Sequence, residues 1–280
     1  MRLTLGFSPC PNDTFIFDAM VNGKIDTEGL EFDVIMADVE ELNRAAFKSE
    51  PDITKLSYHA YAHLTKDYIL LNSGSALGNN CGPLLIASKE HDIQNLSTLS
   101  VAIPGRYTTA NFLLSFAFPQ LKNKKEILFS EIENKVLNWE IDLGVIIHEN
   151  RFTYHERGLI CIMDLGKNWE EKTGLPIPLG GIVCRRNFDK NLQLKIERVL
   201  RRSIEFAFAN PDSSKDFVSC HAQEMSVEVM KKHISLYVNH YTIDLGNKGI
   251  EAVEAMFRHL ETELSNAPVL PLVLTDNPEK

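Results

Sequence analysis

Residues 2–21 read RLTLGFSPCPNDTFIFDAMV, and the fold follows from how this stretch is parsed. Leu3, Leu5 and Phe7 alternate with polar or small residues, which predicts a strand over 2–7 with one apolar face. The polar, proline-marked turn from Ser8 to Thr14 ends that alternation. From Phe15 to Val21 the spacing becomes helical, with Asn12 or Asp13 as candidate caps. A strand that passes straight into a helix is half of a βαβ unit, so the next question is whether the pattern recurs.

It recurs twice in the next fifty residues. Strands are predicted over 30–36 and 52–56, with helices over 39–48 and 57–64, the latter capped by Ser57. This β-α-β-α-β-α order implies a parallel sheet covered by helices. Further strands fit 68–71 and 84–88, separated by the glycine-rich loop 73–82. Apolar density falls over 89–99, and a second series begins. Strands fit 100–103, 126–129, 143–147 and 159–163, and helices fit 109–118 and 132–138. A Pro/Gly-rich connection, 176–181, leads to a strand over 182–185. Beyond Phe188 the chain reads as helix, over about 192–210, 213–221, 226–238 and 248–264. The proline-containing tail after Asn266 is expected to lie along the surface.

This order describes an α/β protein of two lobes. Residues 1–88 and 181–280 form a discontinuous first lobe that carries the C-terminal helices, and 89–180 form a second, inserted lobe. Two crossings, near Ser88 and Gly181, join them. The carboxyl ends of strands from both lobes then face one cleft, where open α/β sheets bind their ligands.

Composition narrows the ligand. The 280 residues carry 29 Lys and Arg against 38 Asp and Glu, a net charge of −9. No dense basic block is present, which argues against a nucleic-acid partner; Lys122 to Lys125 reads as a solvated loop. The N-terminal apolar stretch is too broken for a secretory leader, and no apolar run is long enough for membrane insertion. Five cysteines with no C-x-x-C spacing suit a reduced compartment and no zinc ribbon. A cytoplasmic protein is expected.

Three strand-to-helix turns carry hydroxyl residues at helix starts: Ser8 to Thr14, Thr54 to Ser57, and Arg106 to Ala110. Helix amino termini offer unpaired N–H groups and partial positive charge, so they hold carboxylates or phosphates. Each turn alone is explained by capping, through Ser57 and through Thr108 or Thr109. Three together at expected cleft edges point to a small anionic ligand, with Ser8, Asn12, Thr14, Arg106 and Thr108 as candidate contacts. Lys55 and Arg106 would add positive charge. In DLGVIIHEN, 142–150, an apolar strand runs into His148, which places an imidazole at a carboxyl end. It suits a general base, or alternatively a strand-end hydrogen bond to backbone.

Other signals fail on inspection. His59 and His63 are four apart, but Ala60 stands where a zincin has Glu and no third ligand follows, so no metal site is read. His155, His233, His240 and His259 have no chemical context. The segment GSALG, 74–78, is neither a P-loop nor a dinucleotide fingerprint, and no G-x-S-x-G elbow exists.

The blocks GFSPCPNDTFIF, DITKLSYHAY, PGRYTTANFLL, LGVIIHENRFTY, GLPIPLGGIVCRR and YVNHYTIDLG resemble the 1,4-dihydroxy-6-naphthoate synthase family of the futalosine route to menaquinone. The resemblance spans residues 6 to about 246. It implies a type II periplasmic-binding-protein-like fold and no metal or organic cofactor. The implied activity is a carbon–carbon lyase that converts cyclic dehypoxanthine futalosine to 1,4-dihydroxy-6-naphthoate. The implied proton acceptor is His148, and the implied substrate contacts are Lys55, Leu56, Ser57, Thr109 and Ala110. The alternatives are a non-catalytic cytoplasmic protein of the same fold that binds a small anion, and the chorismate dehydratase of the same pathway. The IIHENRF block and the TTA loop favour the synthase.

Overall fold

The computed structural model describes residues 1–91, 96, 98–148, 150–222 and 226–274. Glu149 of the LGVIIHE block and the tail beyond Leu274 lie outside the described residues. In chain order the elements of the first series are β1 (Arg2–Phe7), α1 (Pro11–Val21), β2 (Glu31–Met36), α2 (Val39–Phe47), β3 (Ile53–Ser57), α3 (Tyr58–Leu64), β4 (Tyr68–Leu71) and β5 (Ala76–Gly78). The second series is β6 (Leu84–Ala87), β7 (Val101–Ile103), α4 (Thr109–Ala117), β8 (Lys124–Glu126), α5 (Ile132–Leu137), β9 (Leu143–Ile146), α6 (Asn150–Thr153), β10 (Ile160–Asp164) and α7 (Leu165–Thr173). The chain closes with β11 (Ile177–Arg185), α8 (Lys190–Ala209), α9 (Lys215–His221), α10 (Val227–Tyr237), α11 (His240–Ile243), α12 (Gly246–Leu260) and β12 (Val273–Leu274).

Two sheets result. The first has the order β12-β4-β11-β3-β1-β2, with β5 paired to β11; the second has the order β10-β6-β9-β7-β8. β1 is parallel to β2 and β3, and β7 is parallel to β8 and β9. β11 runs antiparallel to β3 and β4, and β6 runs antiparallel to β9 and β10. Both reversed strands begin where the chain has just changed sheets. Two α/β lobes joined by two crossings, with a cleft between them, are therefore the architecture.

The sheets correct several boundaries. β6 pairs in the second sheet, so by sheet membership the first crossing lies between Gly78 and Leu84 and not near Ser88. β11 starts at Ile177, so the second crossing precedes Gly181; a register shift between Pro178 and Gly180 lets proline enter a strand. The strand expected at 126–129 lies at Lys124–Glu126, and Phe129 instead opens a 3₁₀ turn. Lys124 to Glu126 are the residues in register with Val101 to Ile103. β5 and α7 went unread. The tail lies on the surface only as far as Pro271: Leu272 to Leu274 are buried, and β12 pairs with β4.

The first lobe's core explains the burial of the opening segment. Leu3, Leu5 and Phe7 are buried as the alternation predicts, and Phe17 stacks on Phe7 at 4.5 Å between centroids. α1 is buried from Pro11 to Met20 among the sheet, α8, α9 and α10. Polar side chains in its first turn must therefore find partners inside the protein. The lobes also meet closely at Gly82 and Gly166, where a Cβ on Gly82 would stand 2.3 Å from the Gly166 Cα.

Candidate active site

Between the sheets lies a cleft of about 700 Å³, part of it open to solvent. The first lobe lines it with Ser8, Asn12, Asp13, Val39, Lys55, Leu56, Ser57 and Tyr237; the second contributes Thr108, Thr109, Ala110, Ile147 and His148. Leu179 and Gly180 of β11 join the lining, since Gly180 is in register with Ser57, together with Ala76, Cys81 and Pro83. An outer hollow of about 740 Å³, bordered by Cys10, Asp38, Glu41 and Phe129, shares Ser8, Val39 and His148 with the first. His148 therefore stands where the inner cleft opens outward.

Most sequence-predicted contacts converge here, and two do not. Lys55, Leu56, Ser57, Thr108, Thr109, Ala110, Ser8, Asn12 and His148 all line the cleft. Thr14 is fully buried and its hydroxyl donates to the Cys10 carbonyl at 3.1 Å, because it sits a full turn inside α1. Arg106 is exposed, its guanidinium 5.7 Å from the Tyr107 ring centroid, and it is absent from the cleft lining.

The first turn of α1 is not capped as expected. Proline at its start moves the cap to Cys10, whose side chain makes no capping bond, and places Asn12 and Asp13 inside the helix. Asp13 accepts from the Ser8 hydroxyl at 2.7 Å, from Asn12 Nδ2 at 2.8 Å and from Lys55 Nζ at 2.8 Å. Lys55 is thus charge-balanced by Asp13, and the pair is a neutral cleft floor with one ammonium face.

Ser57 is the cap residue of α3, yet it makes no side-chain cap bond. Asn43 Nδ2 donates to its hydroxyl at 3.2 Å while its N–H donates to Asn43 Oδ1 at 3.0 Å. Asn43 is in turn held by Glu40, whose carboxyl is pushed up by burial. The Ser57 oxygen is used as an acceptor here, which leaves its proton for a ligand acceptor. At α4, Thr108 caps: its hydroxyl accepts from Asn111 N at 3.2 Å and donates to the Gly105 carbonyl at 2.8 Å. Thr109 donates its hydroxyl to the Leu179 carbonyl at 2.7 Å. The N–H groups of Thr109 and Ala110, in the first helical turn, have no intrahelical acceptor and edge the cleft. Unpaired N–H groups at a helix start are suited to an anion.

His148 follows β9 by two residues and adopts φ +57°, left-handed backbone that is uncommon outside glycine. The ring meets Phe129 edge to face at 5.0 Å between centroids, and Nδ1 lies 3.6 Å from Cys10 Sγ across the cleft. His233 lies parallel to it at 6.1 Å between centroids. His233, on α10, has no chemical context in the sequence, and only the fold brings it here. Cys10 and Asp13 were also missed as site residues, although Pro11 as a helix start was a legible signal for both. Cys81, which also lines the cleft, is held as a thiol by burial, its pKa pushed up to about 12.

His59 and His63 belong to a different environment. His59 Nδ1 faces the Thr108 carbonyl at 3.1 Å, and burial pushes its pKa down to about 4. Among the described residues, no group of three or more His, Cys, Asp or Glu side chains is placed to hold a metal ion. No helix among them is long and apolar enough to cross a membrane.

Comparison with known proteins adds the following. The menaquinone biosynthesis family model matches residues 3–262. A 1,4-dihydroxy-6-naphtoate synthase of Thermus thermophilus is 44% identical over 266 residues, which cover 95% of this chain and 96% of that protein. The protein of the same name from Streptomyces coelicolor is 38% identical, with 93% of each chain covered. Protein AF1704 from Archaeoglobus fulgidus superposes with a TM-score of 0.87 at 36% identity, covering 94% of this chain and 97% of that one. The alkanesulfonate-binding protein SsuA from Xanthomonas axonopodis pv. citri gives a TM-score of 0.72 at 11% identity over 98% of both chains, which is a likeness of fold alone.

Proposed function

The chain belongs to the menaquinone biosynthesis family, and on that premise we propose that it is the lyase that converts cyclic dehypoxanthine futalosine to 1,4-dihydroxy-6-naphthoate. The observation that carries this reading is the position of His148. It is a single imidazole at the cleft mouth, facing a floor of Ser57, Lys55 and free helix N–H groups. Near-full-length similarity to two proteins of that name supports it.

In this reading the substrate carboxylate is gripped by the Thr109 and Ala110 N–H groups, and the hydroxyls reach Ser57 and the Lys55 ammonium. Neutral His148 removes a proton from the substrate. The pair left by that proton becomes a carbonyl π bond on the sugar-derived part as the carbon–carbon bond breaks; the electrons of that bond pass into the bicycle, and the proton held by His148 is returned to it. Aromatisation of the remaining bicycle drives release. Lobe closure excludes water and fixes the base. The residues themselves supply this chemistry, so no metal or organic cofactor enters the scheme. The five cysteines are free thiols, which fits the cytoplasmic setting we assign to the reaction.

The test is direct. Purified protein incubated with cyclic dehypoxanthine futalosine should generate naphthoate fluorescence, with a sugar fragment in equal amount. Recovery of unchanged substrate from a bound complex would instead make this a binding protein. Turnover of chorismate in its place would assign the dehydratase reaction.

A further inference from the structure

His148 is carried by the second lobe, but the groups around its ring come largely from the first. One of them, His233 on α10, ends a hydrogen-bonded chain that starts at the cleft floor. Lys55 Nζ and Asn12 Nδ2 both donate to Asp13 Oδ1 at 2.8 Å. That fixes the Asn12 amide, so its Oδ1 faces away and meets His233 Nε2 at 2.9 Å. An amide oxygen only accepts, so Nε2 carries the proton and Nδ1 is the bare nitrogen of a neutral ring. Nδ1 is buried with no hydrogen-bond partner among the described residues. A fully buried imidazole held in one tautomer with an unsatisfied nitrogen is an expensive way to fill a core.

The ring planes of His233 and His148 are 18° apart, an offset stack at 6.1 Å between centroids. Burial first, then the nearby positive charge of His148 and Lys55, keeps His233 neutral well below the usual histidine range. The other titratable groups facing the pair are Cys10 at the start of α1, Asp13, Tyr237 on α10, and Asp38 and Glu41 across the outer mouth.

We propose that His233, anchored through Asn12 and Asp13 to Lys55, is the positioning residue that fixes the His148 ring when the lobes meet. One lobe carries the base and the other orients it, so the ring is held where the two lobes meet, as they do here. This rests on His148 being the proton acceptor of the reaction proposed above. His233 does not itself line the cleft; it meets the cleft-lining residues His148, Asn12 and Tyr237 from behind.

The experiment uses the full-length protein and two variants, His233→Gln, which keeps a donor for Asn12 but loses the ring, and His233→Phe, which keeps a ring. Side-chain ¹⁵N NMR of the unliganded protein reads ring tautomers between pH 5 and 8. Wild type should show His233 as the neutral Nε2–H form throughout, and His148 in one dominant neutral tautomer above its midpoint. In His233→Gln the His148 tautomers should move toward the mixture of a free imidazole. With substrate, kcat should fall roughly tenfold at a KM within twofold of wild type. His233→Phe should fall only two- to threefold, about a third of a decade or a little more. A protonated or Nδ1–H His233 at pH 6, or unchanged His148 tautomers in His233→Gln, overturns the proposal. So does a folded His233→Gln enzyme with wild-type kcat. Absence of turnover in wild type would refute the reaction and leave the NMR result to decide the positioning claim.

Discussion

Lys55 Nζ lies 2.8 Å from Asp13 Oδ1, and both side chains are almost wholly buried, 8% and 2% exposed. This ion pair joins the middle of β3 to the first turn of α1 beneath the cleft. Its energetics differ from those of a surface pair, because loss of one partner strands the other in low dielectric. Asp13→Ala should therefore destabilise the protein by about 3–5 kcal/mol, measured by urea unfolding. Adding Lys55→Met should recover part of that loss. A single variant within about 1 kcal/mol of wild type, the range of exposed pairs, would show that the pair is solvated.

Ser57 predicts a binding effect. Its oxygen accepts from Asn43, which leaves its proton to donate to a bound substrate. Ser57→Ala should raise KM roughly tenfold, the worth of one hydrogen bond to an anionic or polar substrate, with kcat changed far less. Steady-state kinetics on the naphthoate reaction reads this; an unchanged KM removes Ser57 from the substrate contacts.

Acid stability follows from His59. Its folded pKa, about 4 against 6.5 for the free group, is depressed by burial, so the unfolded chain binds more protons between those values. The resulting stability is full above pH 6.5 and is lost as pH falls toward 4, by about 3 kcal/mol. His233 acts in the same direction. Glu40 and Glu197, pushed up by burial, act in the opposite direction as pH rises above the usual carboxylate range. Unfolding free energies at pH 7 and 4.5 should show a smaller acid loss in His59→Phe than in wild type. Equal losses would mean that His59 titrates normally.

Gly82 and Gly166 fit together with no room for a side chain, their backbones meeting where the first crossing packs on α7. Gly82→Ala should cost about 1–3 kcal/mol by overpacking, visible as a lower midpoint in thermal unfolding. A neutral effect would show that the crossing can shift without cost.

The legible part of this fold was its periodicity. Alternation over Arg2–Phe7 and the repeated strand-to-helix turns specify parallel units, and these place Lys55 to Ser57, Thr108 to Ala110 and His148 at strand ends. Contacts made by the reversed strands were less visible. β6 is a short apolar run, and both it and β11 pair with strands far away in sequence, so periodicity assigned their type but not their sheet. Pro178 and Gly180 disguised the start of β11 as a loop. α7 could have been read from Asp164, which accepts from Lys167 N, and from Gly174 at φ +70°, a cap and a stop around Trp169. At the site, Asn12 and Asp13 were read as caps because Pro11 was not taken as the first helical residue. Nothing local marks His233, whose partners Asn12 and His148 are contributed by two distant segments.

The central claim is that His148 takes the proton that starts carbon–carbon cleavage. Its decisive measurement pairs single-turnover naphthoate fluorescence with substrate binding by calorimetry, for wild type and His148→Ala. The claim predicts turnover lower by roughly 10² or more with affinity within a few-fold of wild type. Turnover close to wild type from His148→Ala would contradict it outright.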